Sequence, residues 1–300
     1  MLISVVLAVK NGMPYLPISV ESILSQTEKR FELAIVENGS SDGTLVYLNS
    51  IADSRVKIYQ IADRGLIFAY NYGFSMCSAE YIAIMDADDI SHPERFKYQL
   101  ELLQKNLSIG LVGTSIFYLG QNSKRKWFVK MPQDHLDIAN ALKVGKHVMV
   151  NSTVMFRRKM LDSVGGYRES AHPVPDLDFY FRVGQVTMLA NIRDIYCGFR
   201  IHENSFTSKN MYGILEKQNI FINSRLDSKL IDKKSKLFYF LRNFTLKIKL
   251  ISWKFYRKGL HEYLNGGYVV WVGYLIISGV FNPSKAYFFI KKKLILKQNN

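Results

Sequence analysis

Two carboxylates one residue apart, Asp86 and Asp88 in Asp86-Ala87-Asp88-Asp89, follow directly on the apolar run Tyr81–Met85. In extended backbone, residues i and i+2 point the same way. The pair can therefore converge on one hard cation with oxygen ligands, Mg2+ or Mn2+. Such an ion bridges nucleotide phosphates and neutralises a departing diphosphate. The plainer reading is turn formation and helix capping. A second cluster, Glu37-Asn38-Gly39-Ser40-Ser41-Asp42-Gly43, ends another apolar run. Its acidic and amide side chains can accept from a base or ribose, and backbone N–H groups around its glycines can meet phosphate. A turn feeding a helix N-cap at Asp42 or Thr44 accounts for the same residues. In Asp176-Leu177-Asp178 a carboxylate can serve as a general base toward an acceptor hydroxyl, or simply cap a helix. In Arg200-Ile201-His202 a neutral imidazole can complete a metal shell, or be structural.

These residues need elements to hold them. Ile3–Val9 is a continuous apolar run ending at the turn signal Asn11-Gly12. Leu16, Val20, Ile23 and Leu24 recur at helical spacing. Phe31–Val36, Val56–Gln60 and Tyr81–Met85 read as further strands. Segments from about Thr44 and over Tyr70–Ala79 read as helices between them. Pro93 suits a first helical turn, and Phe96, Leu100 and Leu103 carry that helix inward. Alternating strands and helices predict an α/β fold with a mostly parallel central sheet flanked by helices. Ligands bind beyond the carboxyl ends of such strands. Three polar clusters, Lys10–Gly12, Glu37–Asp42 and Asp86–Asp89, fall at strand carboxyl ends.

The chain has 300 residues, 48% of them hydrophobic and 22% charged, which excludes a disordered, collagenous or coiled-coil protein. Cys77 and Cys197 are too few for a disulfide framework and give no zinc spacing. No Walker loop, G-x-G-x-x-G or H-E-x-x-H motif occurs. The run Leu2–Val9 has no basic residue before it and no small-residue cleavage site, so it reads as a strand rather than a leader.

The net charge of +15 is unevenly spread. Residues 229–300 hold 15 Lys and Arg against Asp232 and Glu262, whereas residues 1–228 hold 25 against 23 acids. Leu237, Phe240, Leu241, Phe244, Ile248, Ile251 and Phe255 form one helical face. Arg242, Lys247, Lys249, Lys254, Arg257 and Lys258 take the rest of the wheel. An uncharged stretch of 16 residues, Gly266–Phe281, follows, short of the roughly 20 needed to span a bilayer. This helical, basic C-terminal extension reads as an interfacial element on an anionic membrane. The alternative is that its apolar stripe packs against the rest of the protein. Two domains are expected, 1–208 carrying the nucleotide site and 209–300 the basic extension.

Taken in order, the segments resemble the inverting family 2 glycosyltransferases of GT-A fold. Ser4-Val5-Val6-Leu7-Ala8-Val9-Lys10-Asn11-Gly12 resembles that family's first strand and turn, and Ser22-Ile23-Leu24-Ser25-Gln26-Thr27 its following helix end. Phe31–Thr44 is similar to its second strand and nucleotide loop. Arg64-Gly65-Leu66, Asn71, Gly73 and Glu80-Tyr81-Ile82-Ala83 lead to Asp86–Asp89. Val164-Gly165-Gly166-Tyr167-Arg168 resembles the stretch before the family's base, and Tyr196, Arg200, His202 and Ser205 its closing motif. The resemblance covers residues 2–208. It implies that Asp86 and Asp88 hold Mn2+ or Mg2+ and the sugar-nucleotide diphosphate, with His202 approaching the same ion. It implies that Ala8, Asn11, Glu37, Ser40 and Arg64 line the nucleotide pocket, typically for UDP, and that Asp176 is the general base. The implied partners are a nucleotide-sugar donor and a glycan or lipid-linked acceptor in cell-surface polysaccharide assembly, with no nucleic acid.

Two departures stand out. The nucleotide loop reads Glu37-Asn38-Gly39-Ser40 where the family has Asp-Asp-Gly-Ser, so Asn38 removes a charge. The base motif reads Pro175-Asp176-Leu177-Asp178 where the family has Glu-Asp-Tyr-Asp, which leaves Asp178 as a possible substitute for Asp176. The competing functions are a sugar-nucleotide pyrophosphorylase, disfavoured because Leu7–Tyr15 contains only Gly12 and Lys10 for a phosphate loop, and a non-catalytic polyanion- or membrane-binding protein using the tail. The expected location is cytoplasmic, peripheral on the inner face of the cell membrane.

Overall fold

The computed structural model describes residues 1–120, 126–210, 213–214, 216, 251–252 and 254–265. The chain divides into two compact units, one of residues 1–117 and 128–200, the other of 118–127 and 201–300.

In the first unit the strands and helices alternate as predicted. Strand β1 (Ile3–Val9) and β2 (Phe31–Asn38), with helix α1 (Leu16–Leu24) between them, are buried along their whole strand lengths. A strand read as near-continuous apolar sequence is buried on both faces, as helices on both sides of a sheet require. Helix α2 (Thr44–Asn49), β3 (Val56–Ile61), α3 (Leu66–Ser75) and β4 (Tyr81–Ile84) complete this half. β1 pairs in parallel with β2 and with β4, and β2 with β3. The register sets Val9 beside Glu37, Glu37 beside Gln60 and Val6 beside Ile84. The carboxyl ends of four strands are thereby brought to one edge.

Helix α3 was expected over Tyr70–Ala79 but begins four residues earlier. Gly65 supplies the left-handed backbone (φ 85°) that turns the chain into it, and its carbonyl accepts from Ala69 N. The helix also stops sooner, because Ala79 N donates to Ser4 Oγ and the chain turns into β4. Pro93 lies just before the next helix rather than in it, with its carbonyl accepting from Thr27 N at 2.8 Å.

Beyond β4 come β5 (Ile90–Ser91), α4 (Arg95–Lys105), β6 (Ile109–Leu119), β7 (Lys126–Val129), α5 (His135–Lys143), β8 (Met155–Arg157), α6 (Lys159–Val164), α7 (Pro175–Val183) and β9 (Met188–Arg200). The sheet has nine strands among the described residues, in the order β3-β2-β1-β4-β8-β6-β9-β5, with β7 beside β6. β4 with β8, β6 with β8 and β5 with β9 pair antiparallel. The parallel pattern thus runs through the helix-connected N-terminal strands. The later half doubles back, as chains joined without βαβ crossovers do.

In the second unit a described helical stretch over 254–264 follows α8 (Phe206–Lys209). Leu260 and Leu264 of that stretch are buried. A Cβ on Gly120 would meet Leu264 Cβ at 2.9 Å, and the Trp127 and Tyr263 rings meet edge-on at 6.0 Å. Arg257, placed by its position on the cationic face, is only 7% exposed, and its Nη2 donates to Ser205 Oγ at 3.4 Å. Ile251, placed on the apolar face, is 37% exposed. Within this stretch Lys254 and Lys258 are exposed, whereas Arg257 is turned to packing and hydrogen bonding within its own unit. Most of the predicted amphipathic helix and all of Gly266–Phe281 lie outside the described residues. Among the described residues no helix is long and apolar enough to cross a membrane.

Helix α3 lies against β1 and β2 at Gly73, where an added Cβ would sit 2.5 Å from Val6 Cγ1 and 3.2 Å from Val36 Cγ2. Both valines are fully buried. Gly73→Ala is expected to lose roughly 1–3 kcal/mol by overpacking, read as a lowered midpoint in urea denaturation with an unchanged m value.

Candidate active site

The turns after β1 and β2 are fastened to each other. Asn11 N donates to Ser40 Oγ, Gly12 N to Thr44 Oγ1 and Met13 N to Asp42 Oδ2, at 2.8–3.0 Å. In return Ser41 N donates to Asn11 Oδ1 at 2.8 Å. Asn11 takes up left-handed backbone (φ 55°), which an Asx side chain tolerates. Glu37 is buried, and its Oε1 accepts from Ser40 N at 2.6 Å. Thr44 N donates to Asp42 Oδ1 at 2.9 Å. In this second turn the Ser40, Ser41 and Thr44 N–H groups are thus taken up by side-chain oxygens, while Gly39, Ser41, Asp42 and Gly43 stay exposed. The expected N-cap at Asp42 or Thr44 is corrected: Gly43 is the N-cap residue, and Asp42 stands one residue before it, bonding the first helical N–H.

Asn38 Oδ1 accepts from Arg64 N at 3.0 Å, which turns its amide nitrogen away from Arg64. The Arg64 guanidinium stacks 3.8 Å above the Phe68 ring. Ala8 is buried in β1 opposite Val36. Lys10 and Asp63 form an exposed ion pair at the same edge. Ala8, Asn11, Glu37, Ser40 and Arg64 therefore gather at the carboxyl ends of β1 to β3.

The acidic cluster follows immediately at the end of β4. Asp86 Oδ1 accepts from the Tyr70 hydroxyl and from Asn151 Nδ2 (2.8 Å), and Oδ2 accepts from Ser152 Oγ (2.9 Å). Its backbone N–H donates to Ser152 Oγ, and its carbonyl accepts from Ser19 Oγ. Asp89, 1% exposed, accepts Arg200 N at Oδ1 (2.8 Å) and shares a short hydrogen bond with Ser152 Oγ at Oδ2. Asp88 is partly exposed, and its carbonyl accepts from Arg200 Nε at 2.8 Å. The Arg200 guanidinium lies over the Tyr15 ring at 4.6 Å.

Burial, followed by the charge of Asp88, pushes Asp86 above the ordinary carboxylate range and Asp89 well above it. Ser152 has one hydroxyl proton and two carboxylates to serve. With Asp89 protonated, Asp89 donates to Ser152 and Ser152 donates to Asp86, so every atom of the chain is satisfied. Burial also pushes Tyr70 well up and keeps it a neutral donor. Behind the cluster Arg95 is fully buried, donating to Gln99 Oε1 and to the carbonyls of Ile84 and Val154. Burial lowers it to about 10, which leaves it cationic at neutral pH.

Asp176 is the second residue of α7, with no capping hydrogen bond, so the helix-cap alternative does not describe it. His147 Nδ1 lies 3.8 Å from Asp176 Oδ2. Asp178 instead binds Arg182 Nε at 2.8 Å, and Arg182 Nη2 reaches the Gly166 carbonyl at 2.7 Å. The base candidates are thus separated by their partners. The Val164–Arg168 stretch has its own logic. Asn71 clamps the backbone of Tyr167, with Nδ2 to its carbonyl and Oδ1 from its N–H, both at 2.8 Å. A Cβ on Gly166 would lie 2.3 Å from Asn71 Oδ1, so only glycine fits there. His202 belongs to the second unit, where it is 8% exposed and its carbonyl accepts from Ser208 Oγ at 2.8 Å.

The sequence reading missed Tyr70, Ser152, Asn151, Arg95 and Tyr180. Asn151 and Ser152 lie 63–66 residues from the acids they bond and Tyr70 lies 16 from Asp86, so their roles arise from tertiary placement.

Among the described residues no group of three or more His, Cys, Asp or Glu side chains gathers to hold an ion by itself. A cation that keeps waters and takes one or two carboxylates plus substrate phosphates needs no such cage. Asp88, with Asp86 behind it, offers the hard oxygen donors that suit Mg2+ or Mn2+.

The profile of Glycosyl transferase family 2 matches residues 4–165. The O-antigen biosynthesis glycosyltransferase WbnJ of Escherichia coli is 33% identical over 214 residues, which span 68% of this chain and 81% of that one. In fold, the chain is similar to S. aureus TarS 1-349 in complex with UDP-GlcNAc (TM-score 0.61, 14% identity, 93% and 91% of the two chains). It is also similar to the mannosyltransferase PcManGT from Pyrobaculum calidifontis in complex with GDP-Man and Mn2+ (TM-score 0.55, 15% identity, 98% and 79%).

Because the folded state raises Asp89, it favours the protonated form. Its contribution to stability is complete below the ordinary carboxylate range and is lost as pH rises toward the raised value. Urea denaturation in the presence of a chelator should show stability falling with rising pH across that window. In Asp89→Asn, whose amide keeps an acceptor for Arg200 N and a donor for Ser152, the slope should flatten.

Proposed function

This chain belongs to glycosyl transferase family 2, and on that premise we propose that it moves a sugar from a UDP-sugar to a hydroxyl of a glycan or lipid-linked acceptor in cell-surface polysaccharide assembly. The observation that carries the proposal is that the acidic run Asp86–Asp89 follows β4 at the same sheet edge as the fastened turns of β1 and β2. The O-antigen role printed for the relative WbnJ supports the kind of acceptor, and the UDP-GlcNAc bound to TarS supports the kind of donor. The Mn2+ bound to PcManGT supports a divalent ion.

In this proposal Ala8, Asn11, Glu37, Ser40 and Arg64 hold the nucleoside. Asp88 binds the ion and the diphosphate, and Asp86 shapes the site from behind. When bound, the ion neutralises the charge that develops on the leaving diphosphate. The acceptor oxygen forms a bond to the anomeric carbon as the carbon–oxygen bond to the diphosphate breaks, with inversion. Asp176 takes the acceptor's proton. His147 lies beside Asp176, where it can orient the carboxylate. Docking on an anionic membrane face is assigned to the basic residues of 209–300 outside the described set, and vesicles containing anionic lipid should sediment the full chain at low salt but not at high salt.

The test is a thermal-shift panel of UDP, GDP, dTDP and CMP, each with and without Mn2+. UDP with Mn2+ should raise the melting temperature, and Asp88→Ala should abolish the shift. Asp176→Asn should keep the shift while transfer falls by about 10²–10⁴. His202→Ala is scored in the same panel, and a weakened Mn2+-dependent shift is expected. A wild type that responds to no nucleotide would overturn the proposal.

A further inference from the structure

Asn151 stands in a single 3-10 turn (Asn151–Thr153) just before β8. Its Nδ2 donates to Asp86 Oδ1 at 2.8 Å and to the Tyr70 hydroxyl at 3.2 Å. Its Oδ1 accepts from the Tyr167 hydroxyl at 2.7 Å and from the Tyr180 hydroxyl at 3.1 Å. A primary amide has two N–H bonds and two lone pairs, so the whole capacity of this side chain is used. Its orientation is also fixed by chemistry. A carboxylate on one side only accepts, and two tyrosines on the other donate. Burial pushes the Tyr167 and Tyr180 phenols well up, so both stay neutral donors.

The four partners come from different parts of the chain. Asp86 ends β4, Tyr70 lies on α3, Tyr167 is the residue clamped by Asn71, and Tyr180 lies on α7. Tyr180 is four residues beyond Asp176, which places the two on neighbouring turns of one helix face. The Tyr180 ring is itself packed beside Phe179 and is almost fully buried. A displacement of the Tyr180 hydroxyl therefore carries Asp176 with it.

We propose that Asn151 is a positioning residue that sets the distance between the carboxylate cluster at the end of β4 and the base-bearing helix α7. Only an amide can do this, because one end must donate to Asp86 while the other accepts from Tyr180. Asp at this place would set a carboxylate against Asp86, and Ala would release both sides. The inference rests on the transferase reading for the roles of Asp86 and Asp176, but the mechanical coupling stands apart from it.

The experiment compares Asn151→Ala, Tyr180→Phe and the double variant with wild type. The readouts are initial-rate transfer kinetics, Mn2+–UDP affinity by calorimetry, and amide hydrogen exchange. Tyr180→Phe keeps the ring and removes only the hydroxyl. It should lower kcat up to about tenfold, the equivalent of one lost hydrogen bond, with Mn2+–UDP affinity within about twofold. Asn151→Ala should lower kcat about a hundredfold, as small misplacements of reacting groups do, and should weaken Mn2+–UDP as well. The double variant should be no worse than Asn151→Ala, because both changes break one link. Exchange in residues 175–183 should quicken in Asn151→Ala while β1 and β2 stay protected.

A purely structural role predicts additive losses and a lowered melting temperature without the split between kcat and affinity. Additive losses, or an Asn151→Ala enzyme within about threefold of wild-type kcat, would overturn the inference. If wild type itself transfers no sugar, the functional proposal fails, and the exchange measurement alone decides the coupling. Unchanged protection of 175–183 would then refute it, and selective loss would uphold it.

Discussion

Burying carboxylates at the end of a strand is costly, and the whole site is organised around meeting that cost. Asp89 is enclosed and Asp86 is half-buried, and among the described residues neither has a direct ion pair with a cationic side chain. Asp86 is satisfied by neutral donors, Tyr70, Asn151 and Ser152, while Asp89 accepts a backbone N–H and shares a hydrogen bond with Ser152, to which its protonated form donates. Neutral donors meet the hydrogen-bonding need without cancelling the negative charge. The cluster therefore keeps the negative charge of its ionised members. Arg95, buried behind it on backbone carbonyls, contributes a fixed positive charge at longer range. Hydrogen-bonded side-chain networks of this kind hold one geometry.

The neighbouring loops follow a comparable rule with the opposite sign. The turns after β1 and β2 present many backbone N–H groups, which in isolation would form an anion cradle. The N–H groups of Asn11, Gly12, Met13 and Ser41 are instead taken by Ser40, Thr44, Asp42 and Asn11. These turns are preformed and shaped by internal bonds. Nucleotide recognition in the proposed enzyme is left to the groups that remain at the rim, with the diphosphate given to Asp88 and its ion.

The N-terminal half was legible because its signals are local. The apolar runs of β1 and β2 are buried over every residue, and the acidic cluster falls at the end of β4 as its position implied. Boundaries failed where a single backbone conformation decided them, as at Gly65, whose positive φ starts α3 before any apolar periodicity shows. The antiparallel half was not legible, because β6, β8 and β9 pair across long separations that leave no local trace. Within the site, motifs identified the groups proposed to touch substrate. The groups that hold them were invisible: Tyr70, Asn151 and Ser152 are ordinary polar residues whose roles arise only from tertiary placement. The Gly165-Gly166-Tyr167 signal was readable as a pattern. Its cause, the absence of room beside Asn71, needed the fold.

The long sequence separation of these contacts has a consequence for how the protein comes into being. Asp86 meets Asn151 across 65 residues, Asn71 meets Tyr167 across 96, and Asp89 meets Arg200 across 111. The parallel strands and their helices close mainly shorter loops, and contacts across short separations form sooner. During synthesis the N-terminal strands can collapse while residues near 150 and 200 are still being added, since chains fold progressively from the N-terminus. Until Asn151, Ser152 and Arg200 arrive, the carboxylates at the end of β4 stay open to water and carry their full charge. The polar network around Asp86 and Asp89 can thus be complete only once nearly all of the first unit has been synthesised.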